Sequence, residues 1–395
     1  MRQKIARILS IILFVTVCTC PLAVSAEDYS EMSNRDLKVL SYDGDANAAY
    51  ELALRLDYGY EGTPRDFEEA MKQYEVSASH GKKEAYTALG YMYLNGIGTE
   101  KDPEKAREYF ETALSKGDWE ANVGMGRYYL SLWEESDHKE TLRDALPAEN
   151  EDTEEEDYEK LAFDYIVKAA DMHLLDGIYY KGYCYEKGIC VPENKRTAAS
   201  IYETVFMTDP DDENEDEDET AEKTEIENGY IYDASHVRLG IIFMDEKSGV
   251  YDEEKAIDHF KTAADNEYAE GQYYLGLMNL YGYGTNEDED KALELITMAA
   301  DQDFPPALNQ LGVFYFNGTI VDVDLTKAAY YQKLACSYGY TPAQINMGYM
   351  YENGYGVEQD LYTALSYYKM ASEKGYKGAE EAVKRVENLI HDTED

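Results

Sequence analysis

Cysteine and histidine are the residue types in this sequence whose side chains commonly act as nucleophiles, general bases or metal ligands. Cys184 and Cys190 could form a disulfide, but six helical residues span about 9 Å, so the bond requires the chain to fold back near Gly188. None of the six histidines lies beside a cysteine pair, and His259, next to Phe260, is expected to have a packing role. Because no serine or cysteine has a base at a motif spacing, we expect no catalytic residue, no metal site and no cofactor.

Two further motifs resemble parts of ligand-binding sequences. Short Gly-x-Gly pairs lie between predicted helices and lack the rest of a phosphate-binding fingerprint, so they predict turns. These pairs are Gly96-x-Gly98, Gly282-x-Gly284 and Gly354-x-Gly356. The run at 209–219 has the carboxylate density of a calcium loop, but it lacks the glycine and the spaced glutamate of an EF-hand. A solvated charged segment is the main interpretation, and weak, diffuse binding of divalent cations is the alternative.

The glycine of each Leu-Gly or Met-Gly pair recurs every 36 residues through much of the sequence. The step is regular over 90–126 and over 240–348. Within 82–117, apolar residues recur at helical spacing on both sides of a glycine turn, and Asp102 is placed to cap the second helix. A period of this length predicts stacked helix-turn-helix units, and therefore an all-α repeat architecture.

Negative charge dominates the composition, with a net charge of -45. This charge excludes nucleic acid as a partner and disfavours anionic membrane surfaces, because both would be repelled. Two lengthened steps in the period mark acidic insertions near 134–160 and 209–227, with net charges of -10 and -11. Since such runs bury little apolar surface, we expect them to be mobile loops.

The N-terminal residues have the pattern of a cleaved signal peptide. Positive residues precede a short apolar run at 8–17, and the small residues before and at Ala26 predict cleavage after it. A membrane anchor and a lipoprotein signal at Cys18 or Cys20 are the alternatives. The terminal assignments are a signal peptide at 1–26, an N-terminal lead-in or cap at 27–46, and a C-terminal capping helix and tail at 376–395.

The repeated units resemble the Sel1-like repeat family, a relative of the tetratricopeptide repeat. In the last unit the matching residues are Ala343, Met347, Gly348, Tyr351, Gly354, Gly356, Val357, Asp360, Ala364, Tyr367, Tyr368, Ala371 and Gly375. The resemblance covers eight units over 47–375. It implies a right-handed α-solenoid superhelix of helix-turn-helix repeats, in an exported bacterial member of the family.

For function, the resemblance implies an adaptor that holds a protein or peptide in a concave groove, secreted or at the cell surface or envelope. By analogy with tetratricopeptide units, residues two and six places after the leucine of the Leu-Gly pair face that groove. They include Tyr91, Asn95, Arg127, Tyr183, Asn317, Tyr349 and Asn353. The alternative for the asparagines is that they serve the end of the helix, because each precedes a turn glycine.

The charge favours protein partners with basic patches, whose binding weakens as salt concentration rises. Two other functions are left open by the sequence. One is a repeat-scaffold enzyme that acts on cell-wall material. The other is an acidic surface protein that binds divalent cations through its insertions.

Overall fold

The structure is a computed structural model that describes residues 29–143, 158–207 and 220–394. Within these ranges the chain forms eighteen α-helices and no β-strand. This confirms the predicted all-α repeat solenoid. The predicted signal peptide at 1–26, residues 144–157 of the first acidic insertion and residues 209–219 of the second lie outside the described residues.

The helices fall into two compact units. The first comprises the described residues up to Ala121 together with Thr220 and Ala221, and the second comprises the remainder. The helices of the first unit are α1 (Asn34–Tyr42), α2 (Ala46–Tyr58), α3 (Phe67–Ser79), α4 (Lys83–Asn95) and α5 (Pro103–Ser115). Apart from the boundary residues just named, the second holds α6 (Ala121–Arg143), α7 (Tyr158–Asp171), α8 (Leu175–Lys187), α9 (Lys195–Val205), α10 (Thr220–Met244), α11 (Glu253–Asp265), α12 (Ala269–Tyr281), α13 (Glu289–Asp301), α14 (Pro305–Asn317), α15 (Leu325–Ser337), α16 (Thr341–Asn353), α17 (Leu361–Glu373) and α18 (Ala379–Glu394).

From α2 to α17 the described helices form eight consecutive pairs, each with a first helix, a short connection or an acidic insertion, and a second helix. We call each pair a hairpin. Beyond the last hairpin, α18 buries Val386 and Ile390 in a cluster with Tyr368 of α17. Before the first hairpin, α1 buries Leu37 in a cluster with Leu52 of α2. Both ends of the repeat array are therefore covered by an additional helix.

An aspartate in the same position of the repeat starts several of the second helices. In α17 the Asp360 side chain accepts hydrogen bonds from the backbone N–H groups of Tyr362 and Thr363, at 3.0 and 3.2 Å. Such a cap satisfies donors that a helix N-terminus leaves unpaired and typically contributes about 1 kcal/mol. The same side-chain cap is made by Asp102, Asp252, Asp288 and Asp324.

Within a hairpin, a glycine of the first helix lies against a large side chain of the second. A Cβ atom on Gly348 of α16 would lie 2.6 Å from Cε1 of Tyr368 on α17, which is too close for real atoms. Glycine therefore lets the two helices approach, and the opposing side chain fills the space between them. In the hairpins from α4–α5 to α14–α15, the opposing residues are Phe110, Ile166, Tyr202, Phe260, Ile296 and Gln332. Gln332 of α15 is the exception, because every other residue in this position is aromatic or isoleucine.

The turn glycines hold consecutive hairpins close together. Gly354 ends α16 with a left-handed φ of 73°, and Gly356 has a φ of 69°. A side chain on Gly356 would collide with the backbone carbonyl of Leu325, the first residue of α15 in the preceding hairpin. Gly284 lies against the carbonyl of Glu253 in the same way. The second glycine of the turn therefore sets how closely one hairpin approaches the helix before it.

The acidic insertions differ in part from the expectation of mobile loops. α6 continues to Arg143, inside the predicted insertion at 134–160, and α10 begins at Thr220, inside the one at 209–227. Glutamate, lysine and leucine have high helix propensity, so an acidic segment joined to a packed helix extends it while burying little apolar surface. The loop expectation is corrected for these helical parts.

Candidate functional site

Two of the predicted groove asparagines bond to their own helices. The Nδ2 group of Asn95 donates to the carbonyl of Tyr91 at 3.0 Å, and that of Asn353 donates to the carbonyl of Tyr349 at 2.9 Å. These contacts support the alternative in which the asparagines serve the helix ends. The ring of Tyr91 packs edge-on against Phe110 of the same hairpin, with ring centres 5.2 Å apart.

Two other predicted groove residues make cation–π contacts. The guanidinium carbon of Arg127 lies 5.6 Å from the centre of the Tyr180 ring. The Nζ atom of Lys187 lies 5.7 Å from the centre of the Tyr183 ring. Such contacts contribute about 0.5–1 kcal/mol where they are exposed. Neither Arg127 nor Tyr183 lines the cavity that we identify as the candidate site.

The structure brings Asn317 and Tyr349 together at a cavity of about 290 Å³. This cavity lies between α14 and α16, the first helices of consecutive hairpins, with a residue of α15 in its wall. Its lining consists of Gly312, Val313, Phe316, Asn317, Gln332, Asn346, Tyr349 and Met350. No charged side chain is among these residues, although the chain as a whole is strongly acidic. We call it the amide cavity.

Three carboxamide side chains are joined by hydrogen bonds beside the amide cavity. The Nε2 group of Gln332 donates to the backbone carbonyl of Asn309 at 3.0 Å. The Nδ2 group of Asn346 donates to Oδ1 of Asn309 at 2.9 Å and to Oε1 of Gln332 at 3.3 Å. Gln332 is only 2% exposed. Since buried amides are held in place by their hydrogen bonds, this network fixes the polar groups that face the cavity.

An aromatic cluster flanks the amide cavity. The rings of Phe316 and Tyr349, both in the lining, have centres 6.2 Å apart. The ring of Tyr355, from the glycine turn after α16, lies 5.7 Å from each of them. Tyr349 is 45% exposed, so it is accessible to a bound molecule. Aromatic rings in this arrangement offer a rigid apolar contact surface at low conformational cost.

The sequence reasoning missed Gln332, Phe316 and Asn346 as site residues. A signal for Gln332 was present in the repeat register. The residue twenty places after the Leu-Gly or Met-Gly glycine is Phe110, Phe260, Ile296 and Tyr368 in the regular units, and glutamine after Gly312. A polar residue in that position indicates a site, because it replaces the side chain that fills the hairpin.

A second, charged pocket of about 240 Å³ lies between α8 and α10. It is lined by Glu186, Lys187, Glu193, Lys195, Ile241 and Ile242. Its buried carboxylate, Glu186, accepts a hydrogen bond from the Tyr202 hydroxyl at 3.0 Å and lies 3.4 Å from Nη1 of Arg238. The Nη2 group of Arg238 donates to Glu270 at 2.9 Å, while burial raises the pKa of Glu270. Because these buried charges already satisfy one another, the amide cavity is the better candidate site.

A histidine pair packs between α10 and α11. The Nδ1 atoms of His236 and His259 lie 2.8 Å apart, so one ring donates and the other accepts. The His259 ring stacks on Phe243 with centres 5.6 Å apart, and the His236 ring lies 4.3 Å from Phe206. Burial, together with His259, lowers the pKa of His236 to about 4.

In the part of the chain that the structure describes, no group of three or more His, Cys, Asp or Glu side chains could hold a metal ion.

Cys184 has a free thiol in the structure, and the possible disulfide with Cys190 stays a prediction. The helix α8 does end at Lys187, and Gly188 caps it with a φ of 73°, where the bond would require the chain to turn. The Cys184 side chain is fully buried, whereas Cys190 is exposed. Burial raises the pKa of Cys184 to about 12, so its thiol stays protonated at neutral pH.

Crossing a bilayer requires a long and apolar helix, and the described residues form none that qualifies.

Sequence comparison identifies a repeated family model in this chain. The model, described as the Sel1 repeat, matches residues 46–82, 83–118, 176–203, 234–268, 269–304, 305–340 and 341–376. These matches cover more than half of the chain. They account for every hairpin except α6–α7, whose helices flank the first acidic insertion. No curated protein matches the chain.

Several solved structures are similar to the chain at low sequence identity. A Sel1 repeat protein from Oxalobacter formigenes is 20% identical, with 95% of this chain and 99% of that chain covered and a TM-score of 0.48. A protective antigen of uropathogenic Escherichia coli strains, described as displaying an SLR fold, is 21% identical, with 91% of each chain covered and a TM-score of 0.30. An immunity protein from Pseudomonas aeruginosa is 16% identical, with 84% and 83% covered and a TM-score of 0.27.

Proposed function

Since the chain belongs to the Sel1 repeat family, we propose that it is an exported scaffold that binds a segment of another polypeptide at the amide cavity. Sel1 repeat folds commonly mediate protein–protein interaction. The observation that carries the proposal is that Asn317 and Tyr349, two residues assigned to the groove from the repeat register, line one cavity between consecutive hairpins.

The chemistry of the cavity suits a polypeptide segment. An exposed tyrosine ring provides a rigid apolar contact of the kind that dominates binding energy in protein interfaces. Of the carboxamides that line the cavity, Gln332 can donate to a peptide group and Asn346 can accept from one. A bound segment therefore gains both apolar contact and hydrogen bonds without meeting a charged side chain in the lining.

The charge of the chain adds a long-range component to this binding. A net charge of -45 attracts partners with basic patches and repels acidic ones. Salt screens such attraction beyond about 8 Å at physiological ionic strength. Binding should therefore slow and weaken as salt rises, while the apolar contact with Tyr349 persists.

Export and the absence of catalysis are parts of the same proposal. The predicted signal peptide at 1–26 supports export, and N-terminal sequencing of the secreted chain should find Glu27 as its first residue. Sel1 repeat proteins are typically non-enzymatic scaffolds, and we expect this chain to turn over neither peptidoglycan nor β-lactams. Turnover abolished by one groove substitution would favour the alternative of an enzyme acting on cell-wall material.

The test of binding uses the purified full chain and a displayed library of random nonapeptides. Tyr349→Ala removes the exposed ring from the lining and should lose most of the retained peptides. Tyr362→Ala is the matched control, because Tyr362 on α17 is 63% exposed and does not line the amide cavity. Retention of the same peptides by the Tyr349→Ala variant would show that they bind elsewhere, and no retained peptide at low salt would contradict the proposal.

A further inference from the structure

We propose that the amide cavity selects a glutamine side chain of the bound segment, an inference that rests on its proposed function as a polypeptide site. The cavity occurs where the repeat pattern breaks. In the next hairpin Tyr368 of α17 packs against Gly348, whereas Gln332 of α15 packs against Gly312. A glutamine side chain is narrower than a tyrosine ring, and the cavity opens beside it.

The hydrogen bonds of the three carboxamides leave a defined set of groups for a ligand. Both N–H bonds of Asn346 are used, one toward Asn309 and one toward Gln332. Gln332 uses one N–H bond toward the backbone carbonyl of Asn309. A carboxamide has two donor hydrogens and one acceptor oxygen. The second N–H of Gln332 and the oxygen of Asn346 are therefore a donor and an acceptor that take no part in these bonds and remain for a ligand.

A group that both donates and accepts fits this pair. The carboxamide of a glutamine side chain can donate to the oxygen of Asn346 and accept from the N–H of Gln332 at the same time. A carboxylate only accepts, so it would face the Asn346 oxygen without a proton between them. An ammonium group only donates, and the lining contains no carboxylate to pair with it. Burying either charge without a partner is unfavourable.

The apolar walls of the cavity can contact the rest of the bound glutamine side chain. Val313, Phe316 and Met350 line it beside the two amides. The two methylene groups of glutamine can contact these apolar walls while its amide reaches Gln332 and Asn346. Asparagine carries the same amide on a stem one methylene shorter and would leave part of this contact unmade. The geometry therefore favours glutamine over asparagine.

The test uses peptides selected from the nonapeptide library on the full chain and lost by the Tyr349→Ala variant. Glutamine should be enriched at one position among them. Synthetic peptides with that residue changed to glutamate or lysine should bind about tenfold more weakly or worse, since a buried polar partner is left unpaired. The same loss is expected for Q332Y, which gives α15 the tyrosine that α17 has at the equivalent position, Tyr368.

The folded state of the variants is checked by circular dichroism and thermal unfolding. Asn346→Ala provides a second variant, because the α4 helix has Ala88 in the equivalent position, and Tyr362→Ala is again the control. Peptides that depend on Tyr349 but show no glutamine enrichment, or that bind Q332Y unchanged, would overturn the glutamine preference and leave the binding function standing. If no peptide depends on Tyr349, both proposals fail.

Discussion

The hydroxyl of Tyr368 on α17 donates a 2.8 Å hydrogen bond to Oε2 of Glu352 on α16. The same pair occurs in the α8–α9 hairpin, where the Tyr202 hydroxyl donates to Glu186 at 3.0 Å. In the α4–α5 hairpin a phenylalanine takes the place of the tyrosine, and Leu94 takes the place of the glutamate. The chain therefore places a carboxylate in this position only where a buried hydroxyl needs an acceptor.

Glu352→Leu should lower the free energy of unfolding by about 1–3 kcal/mol, because the buried Tyr368 hydroxyl would lose its acceptor. The ion pair with Arg385 would also be lost, but this arginine is half exposed and contributes little. The double variant Glu352→Leu/Tyr368→Phe reproduces the apolar pair of the α4–α5 hairpin and should recover most of the loss. Urea unfolding measures both, and a double variant no more stable than the single one would contradict the coupling.

Gly348→Ala should destabilise the chain by about 1–3 kcal/mol, since the added methyl group would overlap the Tyr368 ring. Gly229→Ala is the matched control within α10, because a Cβ atom there meets no other atom within 4 Å. Alanine is the better helix former, so this control should be neutral or more stable by about 0.5–1 kcal/mol. Thermal unfolding of the two variants distinguishes these effects, and equal melting temperatures would argue against the close approach of α16 and α17.

Stability should fall on acidification because of His236. Burial lowers its folded-state pKa from 6.5 to about 4, so between these values the unfolded chain binds more protons than the folded one. The contribution of this group is complete above pH 6.5 and is lost as pH falls toward 4. It amounts to about 1–2 kcal/mol once solvent screening of the partly exposed ring is allowed for.

The measurement is urea unfolding across pH 3.5 to 7.5 of the native chain and His236→Phe. The variant should lose less stability between pH 6.5 and 4 than the native chain does. His391→Gln, on the exposed side of the terminal helix, is the control and should keep the native profile. Identical profiles for His236→Phe and the native chain would show that the histidine pair does not cause the acid sensitivity.

Cys184 should react with iodoacetamide only after unfolding. A thiol with a pKa of about 12 has almost no thiolate at pH 8, and its side chain is fully buried. Mass spectrometry should find Cys184 unlabelled in native buffer and fully labelled in urea without any reductant. A requirement for reductant would instead show that Cys184 forms a disulfide.

The helical architecture was predictable because its causes are local. The aspartate caps, such as Asp360, and the helix-ending glycines, such as Gly354, act within a few residues of their own positions. A fixed period then implied that the same local causes recur. The extent of α6 and α10 was not predictable in the same way. High negative charge indicated loops, whereas the propensity of glutamate and lysine extended helices already anchored by packing.

The candidate site was predictable only in part. The repeat register gave the helix faces that carry Tyr349 and Asn317, and both line the amide cavity. The importance of Gln332 depends on what lies opposite it, namely Gly312 in its own hairpin and Asn346 in the next. These partners are 20 residues before it and 14 residues after it, and only the folded chain shows that they meet.

The contact between Gly356 and the Leu325 carbonyl also bears on how such a protein can change in length. The same contact recurs in the turns that carry this second glycine, where Gly98 meets the carbonyl of Phe67 and Gly284 meets that of Glu253. Duplicating a 36-residue unit whose turn carries this glycine would recreate the same contact without any new fit. The number of repeats can thus change by recombination, while the hairpin that holds Gln332 carries its own distinct cavity.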